Sequence, residues 1–290
     1  MSKPFRLGMI GLGIMGAPMV RRLRARGWEV TAWNLEPERY DEVKASGARW
    51  ADSPAAVRQA SDVVLICILG DAAIESVCLA PNGLSSSNGA HAVIDFSTTS
   101  PEMTRRVAAS VGMDWLDAPM SGGPGAAEDG NLTLMAGGNA ELYERLSPIL
   151  SDLAGNMTLM GPLAAGQMTK VINQAIVGTN YVLMGEVLAM AEAAGIDAGR
   201  LAGCLKGGMA DSTVLQRIFT QMQARDFDPP RSYARQLNKD LHAVEKVAQG
   251  RGLQLPVLEA GIAQYDRYTS AGNEMEDGAS VSRLYVRPGK

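Results

Sequence analysis

The chain has 290 residues, which is enough for two domains that each bury a hydrophobic core. Hydrophobic residues make up 46% of it and charged residues 20%, a balance typical of a folded protein and not of an intrinsically disordered one. The net charge of −4 provides no overall attraction to nucleic acid or to an anionic membrane, so we expect neither as a partner.

Cysteine and histidine are too scattered to indicate a metal site. The cysteines are Cys67, Cys78 and Cys204, and no two of them form a CxxC pair. This spacing argues against a zinc site and a disulfide framework, and it is compatible with a reducing cytoplasm. His91 and His242 also lie outside any metal-binding spacing. We therefore expect a cytoplasmic protein with no bound metal.

The most apolar long segment predicts a buried helix. It runs from Ala175 to Ala194 and contains Asn180, Glu186 and Glu192, whose polar side chains are costly inside a bilayer. Near the N-terminus, a short apolar stretch is interrupted by glycines that suit a strand-to-helix turn, so we expect no signal peptide there. The sequence thus favours a protein without a membrane span.

Up to about Pro162, short apolar strands alternate with segments of helical length. We predict strands at Phe5–Ile10, Glu29–Trp33, Val63–Ile68, Ala92–Phe96 and Leu132–Ala136. The third and fourth of these are almost continuously apolar, which is typical of parallel strands buried on both faces. The alternation predicts an α/β, Rossmann-like, doubly wound parallel sheet with right-handed crossovers.

Beyond Pro162 the pattern is entirely helical. One uninterrupted helix is predicted from about Ala165 to Ala194, roughly 45 Å long at about 1.5 Å per residue, with Gly195 at its C-cap. Its apolar residues cover most of its circumference, so we expect a homodimer or homotetramer assembled through the C-terminal half. The predicted division is a Rossmann-like domain over 1–163, an inter-domain helix over 164–194 and an all-helical domain over 195–290. We expect the ligand cleft between the two domains.

The sequence GLGIMG directly follows the first predicted strand and opens a helix. Gly11 permits a tight turn, Gly13 lets the backbone approach a pyrophosphate, and Gly16 lets the helix pack on the strand. The helix N-terminus provides free N–H groups for phosphates. Because a strand precedes the motif and a helix follows it, we favour a dinucleotide site over a simple glycine-rich turn. The expected cofactor-binding residues of this loop are Gly11, Leu12, Gly13, Ile14 and Met15.

The end of the second predicted strand bears on the choice between NAD and NADP. Asn34 occupies the position where an acidic residue usually binds the ribose hydroxyls, and Leu35 and Glu36 follow it. No arginine stands at position 35, and Glu36 would repel a 2′-phosphate. Arg39 is the nearest cation that could bind one. The sequence therefore favours NAD, with NADP as the alternative.

Four further segments lie along the chain: DFSTTSP (95–101), DAPMSGG (117–123), GQMTKVINQ (166–174) and NKDL (238–241). Together with GLGIMGAPM, they resemble the β-hydroxyacid dehydrogenase family, which includes 3-hydroxyisobutyrate dehydrogenases, tartronate semialdehyde reductases and glyoxylate/succinic semialdehyde reductases. The resemblance covers nearly the whole chain in the order of the family's motifs. It implies an oxidoreductase that transfers hydride between NAD(P) and a small β-hydroxyacid or semialdehyde carboxylate.

Ser121, Gly122 and Gly123 form a loop of small residues whose backbone amides can face an anion. Considered alone, these residues fit an ordinary turn between strands equally well. The resemblance implies that this loop holds the substrate carboxylate.

Lys170 lies near the start of the long predicted helix, with Asn173 one turn further on. A lysine among apolar residues can simply extend its ammonium to solvent. The resemblance instead makes Lys170 the general acid and base, with Asn173 orienting the lysine or the substrate oxygen. This chain departs from the family at Gln174, where a second asparagine is frequent, and at Ala164, where glycine is common.

The remaining site residues also come from the resemblance. Lys239 and Asp240 could be an exposed charged pair, but the family places the lysine near the substrate carboxylate and the nicotinamide. Leu69 and Thr98 match positions at strand ends that touch the dinucleotide.

Two alternatives remain: a catalytically silent dinucleotide-binding module, and an imine reductase of the same fold. Both are typically associated with loss of the lysine, whereas this chain retains Lys170 and an intact loop over 121–123.

Overall fold

A computed structural model of the protein describes residues 3–285. The chain divides into two compact units, the first ending at Lys170 and the second beginning at Val171. The sequence predicted a boundary at residue 163, before the long helix, whereas this division falls within the helix.

The first unit contains a nine-stranded sheet in the described part of the chain. Its strands are β1 (Arg6–Ile10), β2 (Glu29–Trp33), β3 (Arg49–Trp50), β4 (Val63–Ile66), β5 (Ala92–Asp95), β6 (Asp114–Asp117), β7 (Met120–Ser121), β8 (Leu132–Gly137) and β9 (Ala154–Gly161). The order β3-β2-β1-β4-β5-β6 is parallel throughout, which is the strand order of a Rossmann fold. The predicted fold class is confirmed.

Beyond β6 the sheet departs from the predicted all-parallel arrangement. Strand β8 is antiparallel to both β6 and β7, while β9 pairs with β8 in parallel. The sequence also missed four strands, and the reason is visible in each. Strands β3 and β7 have only two residues, β6 begins and ends with aspartate, and four of the eight residues of β9 are exposed.

Helices cover both faces of the sheet. They are α1 (Gly16–Ala25), α2 (Asp41–Lys44), α3 (Pro54–Ala60), α4 (Gly70–Leu79), α5 (Pro101–Val111), α6 (Gly123–Asp129) and α7 (Ala140–Leu153). Along β4, Val63 and Leu65 belong to the core on one face, and Val64 and Ile66 to the core on the other. Burial of both faces explains why this strand is a continuous apolar run.

The long helix α8 (Ala165–Ala193) matches its predicted bounds to within one residue, and Gly195 follows it with φ +69°. The later helices are α9 (Leu201–Leu205), α10 (Thr220–Ala224), α11 (Ala234–Gln249) and α12 (Pro256–Tyr268). Leu188, Met222 and Leu241 are fully buried in the core of the second unit. Within residues 3–285, no helix has both the length and the apolar character needed to cross a bilayer.

Candidate active site

The glycine turn between β1 and α1 contains glycines of two kinds. A Cβ on Gly11 would lie 2.2 Å from the carbonyl oxygen of Cys67, and one on Gly16 would lie 1.9 Å from the carbonyl oxygen of Gly11. The protein's own packing therefore excludes side chains at both positions. A Cβ on Gly13 would meet no heavy atom within 4 Å. Gly13 thus faces open space, as expected where a pyrophosphate approaches the backbone.

The start of α1 is arranged to receive an anion. Met15 occupies the N-cap position, and within the described chain no side chain caps this end of the helix. The N–H of Ala17 donates to the backbone oxygen of Gly13 at 3.1 Å, and Pro18 has no N–H. In the first turn it is therefore the N–H of Gly16 that can reach a phosphate oxygen. Leu12 is buried beneath the turn, whereas Ile14 is 70% exposed above it. The loop therefore fits a dinucleotide.

Asn34, at the end of β2, makes its contacts within the protein. Its Oδ1 accepts a hydrogen bond of 2.8 Å from the backbone N–H of Leu12. Its Nδ2 donates to Oε2 of Glu36 at 2.7 Å and to the backbone oxygen of Glu36 at 3.2 Å. The asparagine thus fixes the glycine turn and orients the carboxylate of Glu36.

Arg39 approaches the same turn. Its Nη1 lies 3.4 Å from the backbone oxygen of Leu12 and 2.8 Å from Oε1 of Glu42. A carboxylate, Glu36, and a guanidinium, Arg39, therefore flank the region where a ribose would lie.

Leu69 and Thr98 are brought together at the ends of β4 and β5. They form an isolated parallel bridge, and the side chain of Leu69 is 81% exposed. The carboxylate of Asp71 accepts hydrogen bonds from the backbone N–H and the hydroxyl of Ser100, at 2.8 and 2.6 Å. These contacts hold the two strand ends side by side, at the sheet edge where Rossmann folds bind ligands.

The loop predicted to bind carboxylate leads from β7 into α6. Gly122 and Gly123 have φ values of +131° and +80°, which L side chains rarely adopt. A Cβ on Gly123 would meet no heavy atom within 4 Å. Ser121 is half-buried at the end of β7. The loop thus brings together the hydroxyl of Ser121 and, at Gly123, backbone that no neighbouring atom covers.

Lys170 reaches the base of this loop. Its Nζ donates a hydrogen bond of 3.0 Å to the backbone oxygen of Met120, the residue directly before Ser121. The structure therefore joins two predicted site segments that lie far apart in the sequence.

The other predicted site residues belong to the second unit. Nδ2 of Asn173 donates to Oε1 of Gln174 at 2.9 Å, and Nε2 of Gln174 donates to Oδ2 of Asp240 at 2.6 Å. The bond between Gln174 and Asp240 links α8 to α11. Lys239, the neighbour of Asp240 on α11, is exposed.

Comparisons with known proteins show which family the chain belongs to. Residues 6–161 match the family described as the NAD binding domain of 6-phosphogluconate dehydrogenase. Residues 164–285 match the family described as NAD-binding of NADP-dependent 3-hydroxyisobutyrate dehydrogenase. The 2-hydroxy-3-oxopropionate reductase of Escherichia coli is 36% identical over 284 residues, which cover 96% of this chain and 97% of that protein. The chain belongs to the β-hydroxyacid dehydrogenase family.

Solved structures agree at the level of the fold. A 3-hydroxyisobutyrate dehydrogenase from Salmonella typhimurium superposes with a TM-score of 0.86 at 26% identity, over 97% of this chain and 100% of that one. An imine reductase from Pseudomonas sp. reaches only 0.65 at 22% identity, over 96% and 98% of the two chains, and this likeness shows the fold alone. This β-hydroxyacid dehydrogenase is an NAD(P)-dependent oxidoreductase that acts on the CH–OH group of hydroxyacids.

Five buried polar residues within the β-hydroxyacid dehydrogenase motifs have no role assigned from the sequence. They are Asp95, Ser97, Thr99, Asp117 and Gln167. Nε2 of Gln167 donates to the backbone oxygen of Ser97 at 2.8 Å, and its Oε1 accepts from the backbone N–H of Thr99 at 3.1 Å. Gln167 thereby ties the first turn of α8 to the loop that carries Thr98. The signal in the sequence was a polar residue within or directly after an apolar run.

Proposed function

We propose that the protein interconverts a short β-hydroxyacid and the corresponding semialdehyde, with Lys170 as general acid and base. The observation that carries this proposal is the hydrogen bond of 3.0 Å from Nζ of Lys170 to the backbone oxygen of Met120. It puts the ammonium next to Ser121, at the start of the loop proposed to hold the substrate carboxylate. A carbonyl carbon close to that carboxylate would then have a proton donor beside its oxygen.

Proton transfer is the step assigned to Lys170. When bound, the nicotinamide supplies hydride in the reductive direction and accepts it in the oxidative direction. As negative charge develops on the carbonyl oxygen, Nζ of Lys170 donates a proton to it, which leaves a neutral amine and the alcohol. In the oxidative direction the amine removes the proton from the hydroxyl.

The substrate carboxylate is assigned to the loop of Ser121, Gly122 and Gly123. The Ser121 hydroxyl and the backbone N–H groups of the loop can donate to carboxylate oxygens, and charge-assisted bonds of this kind are strong. We assign Lys239 to the carboxylate and the nicotinamide, and Asn173 to the orientation of Lys170 or of the substrate oxygen. The family motifs support both roles.

The dinucleotide is assigned to residues 1–163. The residues proposed to hold it are Gly11, Leu12, Gly13, Ile14, Met15, Asn34, Leu69 and Thr98, with Lys239 from α11. Asn34 would act mainly by fixing the turn, because both of its polar groups already bond to Leu12 and Glu36. We favour NAD over NADP because the Glu36 carboxylate would repel a 2′-phosphate.

We further propose a homodimer or homotetramer assembled through the C-terminal half, residues 195–290 together with the helix over 164–194. Along α8, Ile172, Ile176, Leu183 and Met190 are exposed at heptad-like spacing. Val257, at the start of α12, is 74% exposed and lies with Ile176 along one groove. Large apolar side chains clustered at the surface usually indicate a protein partner. The three free cysteines support a cytoplasmic location, since a reducing compartment maintains thiols.

A substrate panel tests the proposed reaction. Purified protein would be assayed spectrophotometrically for nicotinamide reduction with short β-hydroxyacids, and for nicotinamide oxidation with short semialdehydes, using NAD and NADP coenzymes in turn. We expect turnover of at least one β-hydroxyacid–semialdehyde pair and none of the corresponding alcohols that lack a carboxylate. Equal turnover of substrates with and without the carboxylate would refute the role of the loop at 121–123.

A further inference from the structure

Helix α8 takes its N-terminal cap from a distant strand. Asp117, the last residue of β6, is buried, and its Oδ1 accepts a hydrogen bond of 2.7 Å from the backbone N–H of Ala164. Its Oδ2 accepts one of 2.8 Å from the N–H of Gln167. Ala164 directly precedes the helix and has no side-chain oxygen with which to cap it. A single carboxylate therefore binds two N–H groups at the start of α8, one with each oxygen.

Two glycines, one on the helix and one on a strand, allow α8 to approach Asp117 this closely. A Cβ on Gly166 would lie 2.2 Å from the backbone oxygen of Met135 and 2.7 Å from Oδ2 of Asp117. A Cβ on Gly137 would lie 2.5 Å from the N–H nitrogen of Gly166 and 2.7 Å from Oδ1 of Asp117. The first turn of α8 thus rests directly on the ends of β6 and β8.

The strand segment that caps α8 also holds the lysine. Met120, whose oxygen accepts the hydrogen bond from Nζ of Lys170, comes three residues after Asp117. Ser121 follows at once. Residues 117–121 therefore bind α8 at two places, the first turn and the lysine ammonium, before the chain enters the loop assigned to the carboxylate.

We propose that Asp117 is a positioning residue for Lys170: its carboxylate fixes the first turn of α8 on β6 and so sets where the ammonium lies relative to the loop at 121–123. The inference rests on the proposed function of Lys170. Asp117 acts through the helix and touches neither substrate nor cofactor in this scheme.

The charge on Asp117 depends on its neighbours. Burial raises its pKa to about 6, although the N–H donors from α8 oppose this shift. Asp95 faces it from the neighbouring strand as its register partner, and burial raises the pKa of Asp95 to about 7. Oδ2 of Asp95 has no hydrogen-bond partner among the described residues. The ionised carboxylate is therefore assigned to Asp117, each of whose oxygens accepts an N–H from the start of α8.

Two thiols near Asp95 stay uncharged. Cys67 and Cys78 face Asp95, and burial raises the pKa of each thiol, to about 12 for Cys67. Gly137 and Gln167, which contact Asp117 from β8 and α8, do not titrate. A fall in pH through about 6 thus protonates Asp117 and replaces one acceptor oxygen with a hydroxyl that faces N–H donors.

The raised pKa of Asp117 also bears on the stability of the fold. A carboxyl whose pKa is higher in the folded state stabilises the fold fully below its unfolded pKa, and this contribution is lost as pH rises through the folded pKa. At neutral pH the ionised Asp117 therefore costs free energy of folding relative to its protonated form. Asp117→Asn removes that cost but turns an NH2 group towards a backbone N–H of α8, so the two effects on stability oppose each other and kcat should change far more than Tm.

The decisive variant is Asp117→Asn, with Asp114→Asn as its matched control. Asp114 lies on the same strand but is exposed and pairs with Arg145. We expect Asp117→Asn to lower kcat on the order of 10²-fold, the loss typical of a catalytic group misplaced by about 1 Å. The Kd for dinucleotide and the Tm should stay close to the wild-type values, and Asp114→Asn should have wild-type kcat. A wild-type kcat in Asp117→Asn, or a fall in Tm without a fall in kcat, would overturn the inference.

The dependence of kcat on pH tests the positioning role of Asp117 separately from any role in stability. Wild-type kcat for semialdehyde reduction, the direction in which Lys170 must be protonated, should fall as pH drops through about 6, while dinucleotide Kd stays level, and Asp117→Asn should lack this limb. If Asp117→Asn does not fold, Asp95→Asn replaces it. That variant should retain the limb near the wild-type pH, because Asp95 is already uncharged where Asp117 titrates, and loss of the limb would assign it to Asp95 and overturn the inference. A wild-type profile that stays level down to about pH 5 would overturn the inference without any variant.

Lys170→Ala distinguishes the two proposals. If that variant turns over normally, the proposed function fails. If it is inactive while Asp117→Asn is normal, only the positioning role fails.

Discussion

The side-chain oxygen of Asn34 accepts a hydrogen bond of 2.8 Å from the backbone N–H of Leu12, and this bond ties the end of β2 to the glycine turn. The amide nitrogen of Asn34 is bonded to Glu36, so both polar atoms of the asparagine are already engaged within the protein. Glu36 and the exposed side chain of Leu35 are left to meet the ribose hydroxyls or a 2′-phosphate. Cofactor preference should therefore depend on residues 35 and 36 and on Arg39.

Leu35→Arg should shift preference towards NADP. Leu35 is 77% exposed at this strand end, so an arginine fits there without disturbing the core. A guanidinium–phosphate hydrogen bond should raise the ratio of kcat/KM for NADP over NAD by about tenfold or more. Leu35→Gln, a polar and uncharged control, should leave the ratio near that of wild type. If wild type already prefers NADP strongly and Arg39→Ala abolishes that preference, Arg39 is the phosphate contact and our assignment of this strand end is wrong.

The sequence predicted the central strands and the long helix because their apolar patterns are continuous or periodic over many residues. It did not predict β9, whose side chains are partly exposed, or the antiparallel pairing of β8, because pairing partners depend on tertiary structure. The site motifs were recognised as segments through the family resemblance. The cap that Asp117 provides to α8 was not predictable, since its N–H partners lie about fifty residues away in sequence.

Substitutions at Ala164 test whether an alanine, where the family commonly has glycine, lowers the stability of the fold. It is buried with φ +74°, in the left-handed region that costs an L-residue roughly 1–2 kcal/mol. Ala164→Gly removes that strain but also removes a buried methyl group worth about 0.8 kcal/mol and adds backbone entropy to the unfolded chain. These effects nearly offset each other, so we expect a Tm close to wild type in calorimetry. Ala164→Val places a β-branched side chain at positive φ and should be clearly less stable. Equal Tm values for the alanine and valine forms would contradict this account.

The apolar row on α8 leads to a prediction about assembly. Ile176 is 60% exposed in that row, between Ile172 and Leu183. Ile176→Asp would bury a charge in any interface formed there, which is costly without a partner. We expect wild type to be a dimer or tetramer by multi-angle light scattering at micromolar concentration, and Ile176→Asp to shift towards monomer. Glu192→Gln, at an exposed position on the opposite face of the same helix, is the control and should assemble as wild type does. A monomeric wild-type protein would disprove the proposed assembly.

The last prediction concerns the lysine itself. Hydride transfer to a carbonyl leaves negative charge on oxygen, and Nζ of Lys170, bonded to the backbone oxygen of Met120, is the donor assigned to neutralise it. Loss of a positioned acid–base group typically costs about 10²–10⁴-fold, so Lys170→Ala should lower kcat by that order. Dinucleotide binding, measured by fluorescence quenching, should remain close to wild type, because the glycine turn that we assign to it is built from β1 and α1. Lys170→Arg keeps the positive charge but should also fail, because a guanidinium does not release its proton at accessible pH. Near-normal turnover in Lys170→Ala would remove the lysine from the mechanism, and recovery of activity in Lys170→Arg would show that it supplies charge and no proton.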